Sequence, residues 1–220
     1  MKVALLGASG MIGSRILAEL AARGHQVTAL ARNTARIAAL PGVTPKAVDA
    51  HDRAALAAAY AGHDAAISSV HYLASNADTL IGAAKDSGVV RYLVVGGAGS
   101  LEVAPGVKLV DTPQFPAIYL GEARAGGAFL DKLKAEPALN WTFLSPSALI
   151  QPGERTGTFR LGTDQLLVDA AGNSAISAED YAVALVDELE AARAGTVALS
   201  TCAPRLPPTT SKRSGPWRPA

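Results

Sequence analysis

Gly7-Ala8-Ser9-Gly10-Met11-Ile12-Gly13 decides the fold. Ahead of it, Lys2 to Leu6 is a short apolar run that suits a buried strand. Behind it, Ile12 to Ala22 continues with helical periodicity. A strand, a tight glycine turn and a helix together cradle the diphosphate of a dinucleotide. Gly7 permits the sharp turn, Gly10 lets the backbone approach the phosphates, and Gly13 lets helix and strand pack closely. Ala8, Ser9, Met11 and Ile12 complete this candidate cofactor-binding turn.

The bulk composition narrows what surrounds the turn. A chain of 220 residues suits one domain with a sizeable core. With 49% hydrophobic and 5% aromatic residues, that core is mostly Ala, Val, Leu and Ile, a composition that favours helices on both faces of a parallel sheet. The formal net charge is +1, and Lys and Arg form no stripe interleaved with aromatics, which argues against nucleic acid. Cys202 is the single cysteine, so neither an internal disulfide nor a cysteine metal cluster is expected. The first strand begins at once, leaving no room for a signal peptide, and no apolar run reaches the roughly 18 residues of a membrane span. A cytoplasmic protein, monomer or homodimer, is expected.

Strand-like runs then alternate with helical patterns. Gln26 to Ala31, Val43 to Val48, Asp64 to Ser69, Tyr92 to Val95, Asn140 to Leu144 and Thr196 to Ser200 are expected strands. Thr34 to Leu40, Arg53 to Tyr60, Ser75 to Ser87, Glu122 to Ala135 and a segment from Ser177 or Glu179 to Ala192 are expected helices. This rhythm predicts an α/β fold: a Rossmann-like, doubly wound parallel sheet with helices on both faces, in one domain over residues 1–203. Gly96 to Gly121 holds five glycines and three prolines and is expected as a long loop. Loops 96–121 and 146–175, the latter with strand-like pieces such as Thr158 to Leu161, are expected to form a substrate pocket. Residues 204–220 form a Pro-, Ser- and Thr-rich tail.

Residues after the second strand bear on the nucleotide. A site for the unphosphorylated cofactor usually ends that strand in Asp or Glu, which binds the ribose hydroxyls. Here Arg32 stands 19 residues after Gly13, with Asn33 beside it and Arg36 four positions on. A guanidinium matches a 2′-phosphate in charge and geometry, so NADP is the expected cofactor. Asp49 is placed either at the adenine edge or in a turn, and Asp52 as a helix cap.

Ligands of such sheets lie beyond the carboxyl ends of the strands. Ser69-Val70-His71 follows strand four, Gly96-Gly97-Ala98 with Ser100 follows strand five, and Pro146-Ser147 follows strand six. His71 is read as a ligand contact or a structural bond, and Ser100 offers a hydroxyl beside a flat ring. Tyr119 invites comparison with a Tyr-x-x-x-Lys pair, but the residue four positions on is Ala123. Without that cation the phenol keeps a pKa near ~10 and is a poor base, though Tyr119 can still line the pocket or donate a hydrogen bond. The turn lacks the Gly-Lys-Ser/Thr of an ATP-binding loop, and His25, His51, His63 and His71 lack zinc-ligand spacing, so no metal is expected.

These stretches resemble the atypical short-chain dehydrogenase/reductase group of NAD(P)H-flavin reductases, near the NmrA-like and biliverdin reductase B-like proteins. The resemblance is carried by Lys2 to Arg36, Arg91 to Leu101, Trp141 to Ser147, Pro152 to Gly157 and Ile176 to Ala182. It implies a seven- or eight-stranded domain that binds NADPH across Gly7 to Gly13 and Arg32, with strand ends four to six around the nicotinamide. A flavin, quinone or similar flat acceptor would stack there and take hydride, a transfer that depends on alignment more than on a dedicated proton donor. It also implies that the Ser177 to Ala182 segment packs across the pocket floor. Arg155 is read separately, as pairing with a carboxylate in the loop or facing a substrate phosphate. The alternatives are an NADP-binding redox sensor without turnover and a sugar-nucleotide epimerase or dehydratase. The missing lysine and the short segment after strand six count against the last.

Overall fold

The computed structural model describes residues 1–191 and the strand at 197–202. Eight strands form the main sheet. In chain order they are β1 (Lys2–Leu6), β2 (Gln26–Ala31), β3 (Val43–Ala47), β4 (Ala65–Ser68), β5 (Arg91–Val95), β8 (Trp141–Ser145), β10 (Arg160–Gly162) and β12 (Val197–Cys202). Between them, β6 (Glu102–Ala104) pairs with β7 (Val107–Lys108), and β9 (Leu149–Gln151) with β11 (Ala175–Ser177). Across the main sheet the order is β10-β12-β8-β5-β4-β1-β2-β3, parallel except for β10 against β12. The winding direction reverses between β1 and β4, which places the switch point beside the opening glycine turn.

Side-chain alternation divides the core in two. Val3, Leu5, Leu93 and Val95 pack with α1 (Met11–Ala22) and α5 (Ala178–Glu190). Ala4, Leu6, Tyr92 and Val94 face the opposite layer, with α2 (Arg53–Tyr60), α3 (Ala77–Ser87) and α4 (Ala117–Lys134). Both faces of the central strands are covered, as a doubly wound sheet requires. Three of these helices begin with a polar cap: Asp52, Asn76 and Ser177 accept from the N–H groups of Ala55, Thr79 and Asp180.

Three expected elements differ. Thr34 to Leu40 contracts to a single 3₁₀ turn, Thr34–Arg36, because Ile37 and half-buried Leu40 are the only side chains there with a core to enter. Gly96 to Gly121 is not structureless. It holds a turn at Ala98–Ser100, the β6–β7 hairpin and a turn at Leu109–Asp111, and α4 begins at Ala117, so Tyr119 to Gly121 are helical. Pro116 sets the chain for that start, and Gly121 lies where α4 meets Leu73, whose Cδ1 would be 3.4 Å from an added methyl. The segment Leu149–Gln151 also forms a strand, with β11, which alternation over so few residues does not reveal. Thr196, the Ala192 helix end and the tail 204–220 lie outside the described residues.

Two laces then fix the loops around the carboxyl edge. Glu102 N–H donates to Asp164 O at 2.8 Å and Leu166 N–H to Glu102 O at 2.8 Å, joining segments 96–121 and 146–175. The 152–157 loop is pinned to α1 and α5. Asp180 accepts from Thr156 N–H and Gly157 N–H at 2.7 Å each, Glu179 accepts from Gly153 N–H at 2.7 Å, and Arg155 makes two 2.8 Å bonds to Glu19. Arg155 therefore pairs with a carboxylate, one supplied by α1. The Arg155 contact holds the Glu19 carboxyl below its ordinary range against the opposing effect of burial.

Candidate cofactor and acceptor site

The glycine turn has two closed positions and one open one. Gly7 adopts φ +84°, and a methyl there would lie 2.0 Å from the Ser69 carbonyl oxygen. A methyl on Gly13 would lie 2.0 Å from Gly7 O, so helix, turn and strand end touch through backbone alone. Gly10 is exposed, and a methyl there meets only Gly7 O, at 3.3 Å. Gly10 precedes α1 with no side-chain cap, and no acid occupies the first turn. Such a helix start leaves its N–H groups for an anion, which fits a diphosphate. Ala8 is buried against the sheet, its N–H donating to Leu30 O, while Ser9, Met11 and Ile12 line the outer side with partial or full exposure.

At the end of β2, Arg32 and Arg36 are exposed and have no ion-pair partner among the described residues. Asn33 turns its Oδ1 inward to accept from Ala35 N–H at 2.9 Å, leaving its amide nitrogen outward. Asp49 is exposed and closes a turn by accepting from His51 N–H at 3.0 Å. Asp52 is the cap of α2.

The carboxyl ends of β4, β5 and β8 bring the remaining predicted residues together. Ser69 and Val70 are half-buried beside Gly7, whereas the His71 side chain is 86% exposed. A methyl on Gly96 would strike the Phe143 ring at 2.5 Å, but Gly97 has open space on that side. Ala98 is half-buried, and Ser100 Oγ donates to Gly97 O at 3.2 Å, bracing the turn. Pro146 and Ser147 are buried at the end of β8. Tyr119 is 61% exposed near the start of α4. Ala123 is explained by contact: its Cβ would be 2.8 Å from a methyl on Gly99. Helix α4 thus approaches the β5 turn too closely for a long side chain at position 123 that points this way.

Two working residues, Tyr72 and Glu122, escape sequence reading, and the hydrogen bond of a third, Tyr181, escapes it too. Tyr72 donates its hydroxyl to Val95 O at 2.6 Å and packs its ring against Phe129 and Phe143. Tyr181 donates to Leu144 O, fixing the end of β8 from beneath as the floor reading expects. Burial pushes both phenols upward, so they act as fixed donors and not as titrating groups. Glu122 accepts from Tyr72 N–H at 2.6 Å and Leu73 N–H at 3.0 Å, binding α4 to the loop after β4. The partners are 23 to 50 positions apart, so no local pattern signals them.

Residues 7–192 match the model of the NAD(P)H-binding family. The chain belongs to that family. Among solved structures, one from Burkholderia pseudomallei, described as a candidate exported protein, is 50% identical, with a TM-score of 0.84 over 92% of this chain and 99% of its own. A structure from Bacteroides thetaiotaomicron, described as a candidate epimerase, is 38% identical, with a TM-score of 0.87 over 93% and 98%. A third, from Streptococcus pneumoniae, described as a candidate NADH-flavin reductase, is 33% identical, with a TM-score of 0.82 over 92% and 99%. As a member of the NAD(P)H-binding family, the chain has a Rossmann-type NAD(P)H-binding site. No described helix is long and apolar enough to cross a membrane.

Proposed function

We propose that this protein is an NADPH-dependent reductase that passes hydride to a flavin, quinone or related conjugated acceptor. The observation that carries the acceptor class is Ala123 packed toward Gly99 where a catalytic lysine would otherwise stand. The site is thereby deprived of the lysine that activates a tyrosine for alcohol–ketone chemistry. An epimerase relying on that pair is disfavoured for the same reason, despite one relative's description.

When bound, the reduced dinucleotide supplies the hydride. In this reading, the first-turn N–H groups of α1 hold its diphosphate, which the open Gly10 lets come close. Arg32, with Arg36 and Asn33, takes the 2′-phosphate; both arginines are exposed just after β2 and have no acidic partner among the described residues. Asp49, Ser69, Val70, Pro146 and Ser147 border the nucleoside and nicotinamide ends. Gly96, Gly97 and Ala98 form a wall that a planar ring can approach, since Gly97 carries nothing on its open side. Tyr119 contributes a ring at the mouth, and Ser100 keeps the wall in shape. A recycled reduced dinucleotide also fits a cytoplasmic setting, which cell fractionation checks.

The test is oxidation of NADPH by the purified protein with FMN, FAD or a naphthoquinone, against the no-enzyme rate. Turnover with at least one acceptor, with a lower KM for NADPH than for NADH, is the expected result. Tight binding without turnover on any of them rejects the reductase and favours a sensing role.

A further inference from the structure

Among the described residues, His71 and Glu122 form a pair at the proposed acceptor end whose imidazole has no other partner. Nδ1 of His71 lies 3.4 Å from Oε1 of Glu122, a charge-pair distance slightly longer than a hydrogen bond. The carboxylate is fixed, because Oε1 also accepts from Tyr72 N–H and Oε2 from Leu73 N–H. Its position is thus set by backbone on two sides, and it faces one nitrogen of the imidazole. The other nitrogen, Nε2, has no protein partner among the described residues, and the ring is 86% exposed. Glu122 faces the ring from α4, with Tyr119 one turn earlier on that helix. On α3, Asp78 is held by Lys132 at 2.6 Å.

Three other hydroxyls are committed, Tyr72 to Val95 O, Tyr181 to Leu144 O and Ser100 to Gly97 O, while the exposed Tyr119 phenol lacks the neighbouring lysine that would activate it. The loop carrying His71 follows β4, which lies between β1 and β5, so it leaves the sheet between the strand that enters the glycine turn and the strand that enters the Gly97 turn. We propose that His71, positioned by Glu122, is the proton donor to the reduced acceptor. This inference rests on the reductase reading above.

The step balances. The acceptor gains a hydrogen with its electron pair, the dinucleotide is oxidised, and a quinone acceptor is left with negative charge on oxygen. The N–H bond at His71 Nε2 breaks as an O–H bond forms, and the neutral imidazole regains a proton from water. Glu122, held by the Tyr72 and Leu73 N–H groups, keeps the ring oriented through Nδ1.

The experiment compares wild type, His71→Gln and Glu122→Gln with NADPH and a naphthoquinone across pH, alongside an NMR titration of the His71 ring. The donor is the protonated form, so wild-type kcat falls as pH rises through the value read by NMR. His71→Gln lowers kcat by about 10²-fold on the acid side and flattens the profile. Its affinity for NADPH, measured by fluorescence quenching, stays unchanged, and imidazole restores part of the activity of His71→Ala. Glu122→Gln keeps an acceptor for the loop N–H groups and lowers kcat less than His71→Gln does, with NADPH affinity unchanged. Wild-type kcat and pH profile in a folded His71→Gln overturn the inference while leaving the reductase standing. A loss confined to NADPH affinity also overturns it, by making His71 a cofactor contact. No turnover by wild type removes the reductase reading and the donor role together.

Discussion

The proposed cofactor end and the proposed acceptor end of this sheet are held in shape by different means. At the cofactor end, backbone meets backbone: Gly13 lies against Gly7 O, Gly7 against Ser69 O, and Gly10 is left open. At the acceptor end, long side chains reach across the fold to carbonyls and N–H groups: Tyr72 to Val95, Tyr181 to Leu144 and Glu122 to residues 72 and 73. A backbone-built site tolerates almost no added atom but asks little of its side chains. A side-chain-built site can change its lining while the strands beneath it stay in place. That difference matches a constant dinucleotide paired with a variable acceptor.

Substitutions can break this contrast. Gly13→Val puts its Cβ 2.0 Å from Gly7 O and is expected to cost roughly 3 kcal/mol or more and abolish NADPH binding. Gly97→Ala meets nothing within 4 Å, so its stability should stay within about 0.5 kcal/mol of wild type, with any change confined to acceptor KM. Thermal unfolding and fluorescence titration of both variants check the pair. Equal damage at the two sites would erase the distinction.

Next in size is Arg32→Ala, which removes charge-assisted bonds worth about 1.5–3 kcal/mol. NADPH binding should weaken by roughly 10- to 100-fold, with NADH unchanged, as calorimetry would show. Tyr72→Phe loses one hydroxyl bond, to Val95 O, at about 1 kcal/mol. Its expected signature is a raised acceptor KM at unchanged NADPH affinity.

A further small effect concerns the lace behind α1. Arg155 holds the Glu19 carboxyl below its ordinary range, so the contact stabilises the fold above the unfolded carboxylate pKa. That contribution disappears as pH falls through the depressed folded value. Arg155 is 57% exposed, which keeps the effect below about 1 kcal/mol. Acid unfolding of Arg155→Ala should begin at slightly higher pH than wild type, with no difference in stability at strongly acid pH.

The same contrast explains what was legible in the sequence. Gly7 to Gly13 is contiguous and each glycine has a steric reason, so strand, turn, helix and sheet class follow from seven residues. Seven strands of the main sheet repeat that local logic. The start of α4 is hidden because Ala117 to Tyr119 are all exposed and show no apolar period, and Gly121 imitates a stop. Glu122 and Tyr72 look like ordinary surface and core residues until the fold brings α4 over the β4 loop. Ala123 is the exception: its absence of charge is visible in sequence, but the contact with Gly99 that accounts for it is not.

The most direct test of hydride transfer at this edge uses NADPH deuterated at one face of the nicotinamide C4, with a naphthoquinone under single-turnover conditions. The account predicts oxidation of NADPH, loss of deuterium from one face only, and a slower step when that face carries the label. Binding of NADPH with no oxidation, or label loss without facial preference, would contradict it.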